Sequence, residues 1–454
     1  MNKLQFLLFF TFVFTVTAFG QSRQITLDEA IEIALENNYQ LKQAENNLQL
    51  AEKTLTSEYM DFLPSVNASM SGSRTTGQQF IFDRFNEGLD PFVDITSQSI
   101  SGRFSASVPL FEGFNNINTL RASQEEKLSR EESLQRAREN VIFNTASRYL
   151  QVLLDMQLLE IAEENLVTSQ RQLEQVEAQV EVGSRPNVDL FNQEAQVASD
   201  ELTVTQRENN LNMSKLLLIR QLQIDPTQEY EFLVPDLPEQ IAADLSSYEL
   251  RELLDSAMDN RSDIRSEVAD IESLRYRLKI AKGSLFPTLS ASASLSSRYS
   301  DQYSLAGQDV SFSDQFFDQQ VNRSFGLSFS LPIFNNWNRM LNIQSSQVQL
   351  KNAELSLENS QLQVIQEVTQ AYNDYQSYMQ EYESSEKSLI ANERAFESQQ
   401  ERYNVGASTL IELSQAQANY VTAQSNFTQA KYNLIFQEKL LDYFIGRLDK
   451  QIQF

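Results

Sequence analysis

Two hydrophobic periods alternate along this chain, and they do so twice in the same order. Over 27–61 the apolar positions Ile31, Ala34, Leu35, Leu41, Ala44, Leu48, Ala51 and Leu55 recur at helical spacing, which predicts one amphipathic helix. Thr26 ahead of Leu27-Asp28-Glu29 supplies an N-cap and an acidic first turn. The period then drops to two: Val66, Ala68 and Met70 alternate with Asn67, Ser69 and Ser71, and Phe104, Ala106, Val108 and Leu110 with Ser105 and Ser107. A helical stretch without proline or glycine follows over 115–182, turns at Gly183-Ser184-Arg185-Pro186 and returns over 187–223. The second half predicts a helix over 248–283, then Leu289, Ala291, Ala293 and Leu295 against serines. Phe325, Leu327, Phe329 and Leu331 alternate with Gly326, Ser328 and Ser330, and helices follow over 338–404 and 409–446.

The two halves are related by a constant, gap-free offset of 223 positions. Pro64 pairs with Pro287, Pro109 with Pro332, Tyr149 with Tyr372 and Gly183 with Gly406; Leu63-Pro64-Ser65-Val66 echoes Phe286-Pro287-Thr288-Leu289, and Val108-Pro109-Leu110-Phe111 echoes Leu331-Pro332-Ile333-Phe334. A unit of about 200 residues is far longer than a solenoid repeat and signals a duplicated domain. The expected layout is a leader over 1–20, a first repeat over 21–225, a linker over 226–247 carrying Pro226, Pro235 and Pro238, a second repeat over 248–447 and a tail over 448–454. In the leader, Lys3 precedes the apolar run Leu4 to Val16, and Ala18-Phe19-Gly20 places cleavage before Gln21. A single membrane anchor is the competing reading, for which the apolar run is short.

Strands with one apolar and one serine-rich face have the pattern of a membrane β-barrel, with lipid outside and water inside. The competing reading is the edge of a soluble sandwich with one buried face. Pro64, Pro109, Pro287 and Pro332 mark the helix–strand junctions, where a residue without an N–H belongs. The segments 79–97, with Asp83, Glu87, Asp90 and Asp94, and 301–320, with Asp301, Asp309, Asp314 and Asp318, are expected as exposed outer loops. The helix over 115–182 would be roughly 100 Å long at 1.5 Å per residue, and the opening and returning helices stacked end to end match it. Four strands cannot close a membrane barrel, because every lipid-exposed edge must be paired. Three copies giving twelve strands is the simplest closed solution, with the helices continuing as a second barrel wet on both sides. The fold class is thus mainly α with a membrane β part.

Composition narrows the chemistry. The chain contains no Cys and no His, so neither disulfides nor a Cys/His metal site or His-based catalytic triad can be built. With 36 Lys+Arg against 62 Asp+Glu, the net charge of −26 argues against nucleic acid. Solubility of long exposed helices accounts for such an excess; an acidic conduit favouring cations is the functional alternative. An enzyme would need a carboxylate-only site, and no paired-acid constellation stands out.

Taken together, the duplication, the strand pairs with prolines at their junctions and the helix-tip sequences resemble the TolC-like outer-membrane efflux proteins over nearly the whole chain. The resemblance implies a homotrimeric channel-tunnel in the outer membrane of a Gram-negative bacterium, a twelve-stranded barrel in outer-membrane lipid over a periplasmic helical barrel. It implies two protein partners, a periplasmic adaptor (membrane fusion) protein and an inner-membrane transporter of the RND or ABC type, in drug efflux or type I secretion, with no cofactor. Adaptor-docking tips would be Val182-Gly183-Ser184, which fits the family's Val-Gly-Thr/Ser, and Val405-Gly406-Ala407, which departs at its third position although Ser408 follows. Glu412 falls at an acidic aperture position and Gln415 occupies the other; Tyr403 and Asp189 match positions of a latch between coils. Ser408 stands where the latch arginine would be, leaving Arg185 as the candidate replacement. A structural or adhesive coiled-coil stalk without a pore is the alternative; it explains the long helices but neither the serine-lined strand faces nor the duplication.

Overall fold

The computed structural model describes residues 23–80, 92–235, 249–305 and 308–447. The leader, Asp83, Glu87, Asp90, Pro238 and the tail lie outside the described residues. Chain contacts divide the described residues into two compact units that cut across the repeats: those within 1–43, 135–261 and 362–454 form one, and those within 44–134 and 262–361 form the other.

The first unit is helical around a small sheet. Its elements are β1 (Arg23–Ile25), α1 (Leu27–Asn37), the start of α2 (Tyr39–Met60), most of α3 (Asn115–Glu181), α4 (Asn187–Leu222), β4 (Tyr230–Phe232), α5 (Leu250–Asn260), the later part of α8 (Asn338–Asn404) and α9 (Leu410–Phe444). The single helix expected over 27–61 is broken at Asn38, whose backbone turns to ψ 120 while its side-chain oxygen accepts from the Leu41 N–H at 3.0 Å. Asparagine offers the backbone a local partner that competes with the helix ladder and caps a new helix instead. The helix expected over 248–283 is likewise two, α5 and α6 (Ser262–Gly283), broken at Arg261, the residue 223 positions after Asn38. Arg261 is buried, and its guanidinium donates to Glu367 at 2.8 Å.

Part of the predicted linker is ordered as a strand. β4 pairs in parallel with β1, Ile25 facing Phe232. Tyr149 reaches this pair from α3: its buried hydroxyl lies 2.9 Å from the Ile25 carbonyl and 2.7 Å from the Leu233 carbonyl, and its ring meets Phe232 edge-on at 5.8 Å. One O–H lies between two main-chain acceptors, of which the Ile25 carbonyl also accepts from the Leu233 N–H at 3.1 Å. Tyr149→Phe should therefore cost about 0.5–1.5 kcal/mol, the usual net contribution of one hydrogen bond, read as a lower thermal midpoint of the detergent-solubilised protein. An unchanged midpoint would show that the hydroxyl does not hold the strand pair.

The second unit carries the four-stranded sheet. β2 (Ser65–Phe80), β3 (Phe92–Glu112), β5 (Thr288–Ser300) and β8 (Asn322–Ser330) lie in the order β2-β3-β5-β8, all antiparallel. The polar face carries cross-strand hydroxyl pairs, Ser65–Ser107 at 2.9 Å, Ser71–Ser101 at 2.7 Å, Ser73–Ser99 at 2.8 Å and Ser294–Ser324 at 2.8 Å. The other face is apolar and exposed, with Phe325 at 85 % and Leu327 and Phe329 similarly open. β2 and β3 run further than expected, taking in Gln79–Phe80 and Phe92–Ser97 of the first predicted loop.

The second predicted loop, 301–320, is not an open loop. A short hairpin, β6 (Ser304–Leu305) with β7 (Gln308–Asp309), leads into a helical turn α7 (Phe312–Asp314) and a π-helical turn over Gln315–Gln319. Phe316 sits 2.9 Å from where a Cβ on Gly102 would stand, and Phe312 meets Tyr299 at 5.2 Å. Gly102, Tyr299 and Phe104 share the apolar face by strand alternation. The aromatic residues between the aspartates thus pull this segment back onto the sheet. Among the described residues no helix is long and apolar enough to cross a membrane.

Candidate functional site

The two helical hairpin tips, both in the first unit, gather every residue singled out for docking or gating. α3 ends at Glu181, and Gly183 follows at φ +74; its N–H donates to the Val180 carbonyl at 2.9 Å while the Ser184 N–H donates to the Gln179 carbonyl at 2.9 Å. α8 ends at Asn404 in the same way, with Gly406 at φ +76, its N–H on the Tyr403 carbonyl at 3.0 Å and the Ala407 N–H on the Arg402 carbonyl at 2.8 Å. These are Schellman ends, in which a left-handed glycine lets the last carbonyls find donors. A Cβ on either glycine would meet nothing within 4 Å, so the tips are open. Val182 and Val405 project there, 78 % and 79 % exposed.

The turn glycines satisfy the chain locally; the exposed valines satisfy nothing within it. Val188, Phe191 and Ile411 are exposed nearby in sequence, beyond the residues that the tip sequences and the latch pattern point to. The signal was present, because Val188 and Ile411 occupy equivalent repeat positions.

The returning helices begin differently. α9 opens with a capping box: the Thr409 hydroxyl accepts from the Glu412 N–H at 3.2 Å, and the Thr409 N–H donates to the Glu412 carboxylate at 3.0 Å. The Ser408 hydroxyl adds a further bond to that carboxylate at 2.9 Å. The Thr409 N–H, then the Ser408 hydroxyl, hold the Glu412 carboxyl below the usual glutamate range. Glu412 is exposed and ionised, but its carboxylate is occupied by its own helix end. Gln415 is exposed, its amide donating to Asn419 at 3.0 Å.

α4 has Pro186 where α9 has Thr409, and proline offers no side-chain cap. Asp189, the repeat equivalent of Glu412, is therefore not drawn into a capping box. It accepts from Arg185, the equivalent of Ser408, at 3.4 Å. The same Arg185 guanidinium lies over the Tyr403 ring, 4.4 Å from its centroid. The structure thus brings Arg185, Asp189 and Tyr403 together across the two hairpins. Tyr403 is buried with Val176, Leu410 and Leu413, flanked by Val180, Leu190 and Phe396. Burial pushes its phenol up, against the pull of the Arg185 cation, and its hydroxyl finds no hydrogen-bond partner.

Further along the same helices lies a buried polar layer that periodicity did not reveal. Ser169 donates to Asp200 at 2.5 Å, Gln172 to Gln417 at 2.8 Å, and Gln417 to Asn165 at 2.8 Å, while the Gln193 amide reaches the Ser169 carbonyl at 3.0 Å. Residues from α3, α4 and α9 are joined by hydrogen bonds that demand one register, unlike an apolar seam.

The sequence profile of the family described as "Outer membrane efflux protein" matches residues 30–221 and 253–447. The chain belongs to that family. The outer membrane efflux protein BepC of Brucella suis is 20 % identical over 427 residues, covering 93 % of this chain and 86 % of the relative. The solvent efflux pump outer membrane protein SrpC of Pseudomonas putida is 25 % identical over 445 residues, covering 95 % and 88 %. Among solved structures, the CmeC outer membrane channel of Campylobacter jejuni superposes with a TM-score of 0.77 at 19 % identity, covering 93 % of this chain and 85 % of that one. As an outer membrane efflux protein, the chain is an outer-membrane exit duct for an efflux system, and the poreless stalk is not favoured. Its family members are channels rather than enzymes.

Proposed function

We propose that three copies assemble into a passive duct whose sheets close a twelve-stranded barrel in outer-membrane lipid. The observation that carries this is the four-stranded sheet, in which β2 and β8 are unpaired edges among the described residues, apolar on one face and hydroxyl-lined on the other. In lipid such edges must be paired, and three copies supply the fewest strands that leave a water-filled lumen. The exposed tip valines, Val182 and Val405, with Gly183, Ser184, Gly406 and Ala407, dock to a periplasmic adaptor linked to an inner-membrane transporter of the RND or ABC type. The Arg185–Asp189–Tyr403 contact latches the periplasmic aperture, and adaptor binding shifts the population toward the open form. Glu412, held in its capping box, contributes negative charge at that mouth without spanning between hairpins.

Energy comes from the transporter; the duct has no chemistry of its own. Detergent-extracted protein should have the native mass of a trimer and give discrete conductance steps in planar bilayers. A monomer that is stable without detergent and conducts nothing would sink this reading.

A further inference from the structure

The duplication fixes how one copy meets the next, to the residue. In the first hairpin Ser65 faces Ser107, and in the second Thr288 faces Ser330. Removing the 223-residue offset from both members of the second pair returns the first, and the same holds along the whole of β5 and β8. Register is therefore a property that the repeat carries. The remaining pairing, β3 with β5, joins the two halves and occurs once within the chain. Its counterpart under the offset is β8 with β2, and these lie at opposite edges of the sheet.

We infer that β8 of one copy pairs antiparallel with β2 of a second copy in the register that β3 and β5 use; this rests on the trimeric duct proposed above. Ser105 facing Ser294 becomes Ser328 facing Ser71, Ser107 facing Ser292 becomes Ser330 facing Ser69, and Ala106 facing Ala293 becomes Phe329 facing Met70. The chemistry of the transferred pairs agrees with the transfer. Serines meet serines on the water side, and Phe329 and Leu327 meet Met70 and Gly72 on the lipid side. A slip of one residue would set Phe329 against a serine and turn one strand inside out.

A second observation points to the same occupant. β3 continues to Glu112 with β5 beside it, whereas β8 stops at Ser330, short of the equivalent position, Asn335. In that unfinished stretch Ile333 is 92 % exposed and Phe334 is similarly open, while its equivalent, Phe111, is half-buried and meets Phe114 at 5.2 Å. The missing neighbour is the strand that β5 provides for β3, and β2 of another copy has its length and its pattern. At the inner end the match is looser. Gly113 and Gly283 touch backbone to backbone, but their counterparts Asn336 and Met60 both carry side chains, so the junction between copies is wider there.

The chain lacks cysteine, so the register can be read by introducing pairs. Full-length protein carrying Ser71→Cys with Ser328→Cys should form covalent dimers and trimers on mild oxidation. Directly opposed residues lie within disulfide reach and diagonal ones sit near or beyond its limit, so this pair should link at least about tenfold faster than Ser69→Cys or Ser73→Cys combined with Ser328→Cys. A trimer by native mass whose fastest link is a displaced pair, or that links nowhere, overturns the register and leaves the duct standing. A monomer by native mass with no link at any pair overturns both.

Discussion

Gly113→Ala should remove most of the folded protein from the membrane, the largest stability effect expected of any single methyl group in this chain. Gly113 has φ +63, and a Cβ there would stand 2.2 Å from the Gly283 carbonyl oxygen and 3.1 Å from the Phe286 Cβ. Both neighbours are fixed, one as main chain and the other in the aromatic contact of Phe286 with Phe114 at 6.2 Å. Left-handed backbone costs a non-glycine residue about 1–2 kcal/mol, and overpacking adds about 1–3 kcal/mol where nothing can give. A total on the order of 2–5 kcal/mol is a large part of the stability of an ordinary domain. Gly183→Ala is the control, since φ +74 brings the same strain with nothing within 4 Å of the new methyl. It should lower the thermal midpoint slightly and leave the membrane yield intact. Equal losses from the two variants would show that backbone strain, and not the close approach of the strand–helix junctions, governs this site.

Glycine at that junction illustrates what the sequence made legible. The change of hydrophobic period located all four long strands, and the absence of glycine and proline set the limits of α3 and α8 to within a residue or so, because each depends on a local pattern. The constant offset was legible for the same reason and reaches down to backbone conformation: Gly113 and Phe114 both have positive φ, and so do their counterparts Asn336 and Trp337. What escaped depends on partners distant in sequence. The break at Asn38 is the local exception: it lies between segments that both favour helix, and the Asn38 side chain accepts from the Leu41 N–H only three residues on. β1 and β4 are three residues each and lie more than 200 residues apart, and Tyr149, distant from both, bonds to the carbonyls of Ile25 and Leu233. The fold-back of Phe316 needs a glycine, Gly102, on another strand to receive its ring. At the tips the residue types were readable, but the use of Asp189 was not. It follows from Pro186 standing where the other tip has Thr409, which frees one acid for Arg185 and commits the other to its own helix end.

Arg185→Ala should raise single-channel conductance in planar bilayers, whereas Tyr403→Phe should leave it unchanged. The contrast follows from what each group contributes. The Tyr403 hydroxyl has no hydrogen-bond partner, so the phenylalanine ring keeps every contact that holds the hairpins together. Arg185 bridges two elements, stacking on that ring at 4.4 Å and pairing with Asp189 at 3.4 Å. The cation–π contact is worth about 0.5–2 kcal/mol and a part-exposed ion pair about 0–1 kcal/mol, which gives about 0.5–3 kcal/mol for each copy. Three latches released together would amount to about 1.5–9 kcal/mol, a shift of roughly tenfold or more toward the open form. Glu412→Ala gives the contrast: it removes half of the capping box of α9 and leaves the Arg185–Tyr403 contact in place, so the closed conductance should persist. Should Arg185→Ala conduct like the parent protein, or Tyr403→Phe open the channel as far as Arg185→Ala does, the latch does not work through the guanidinium and another contact must hold the tips closed.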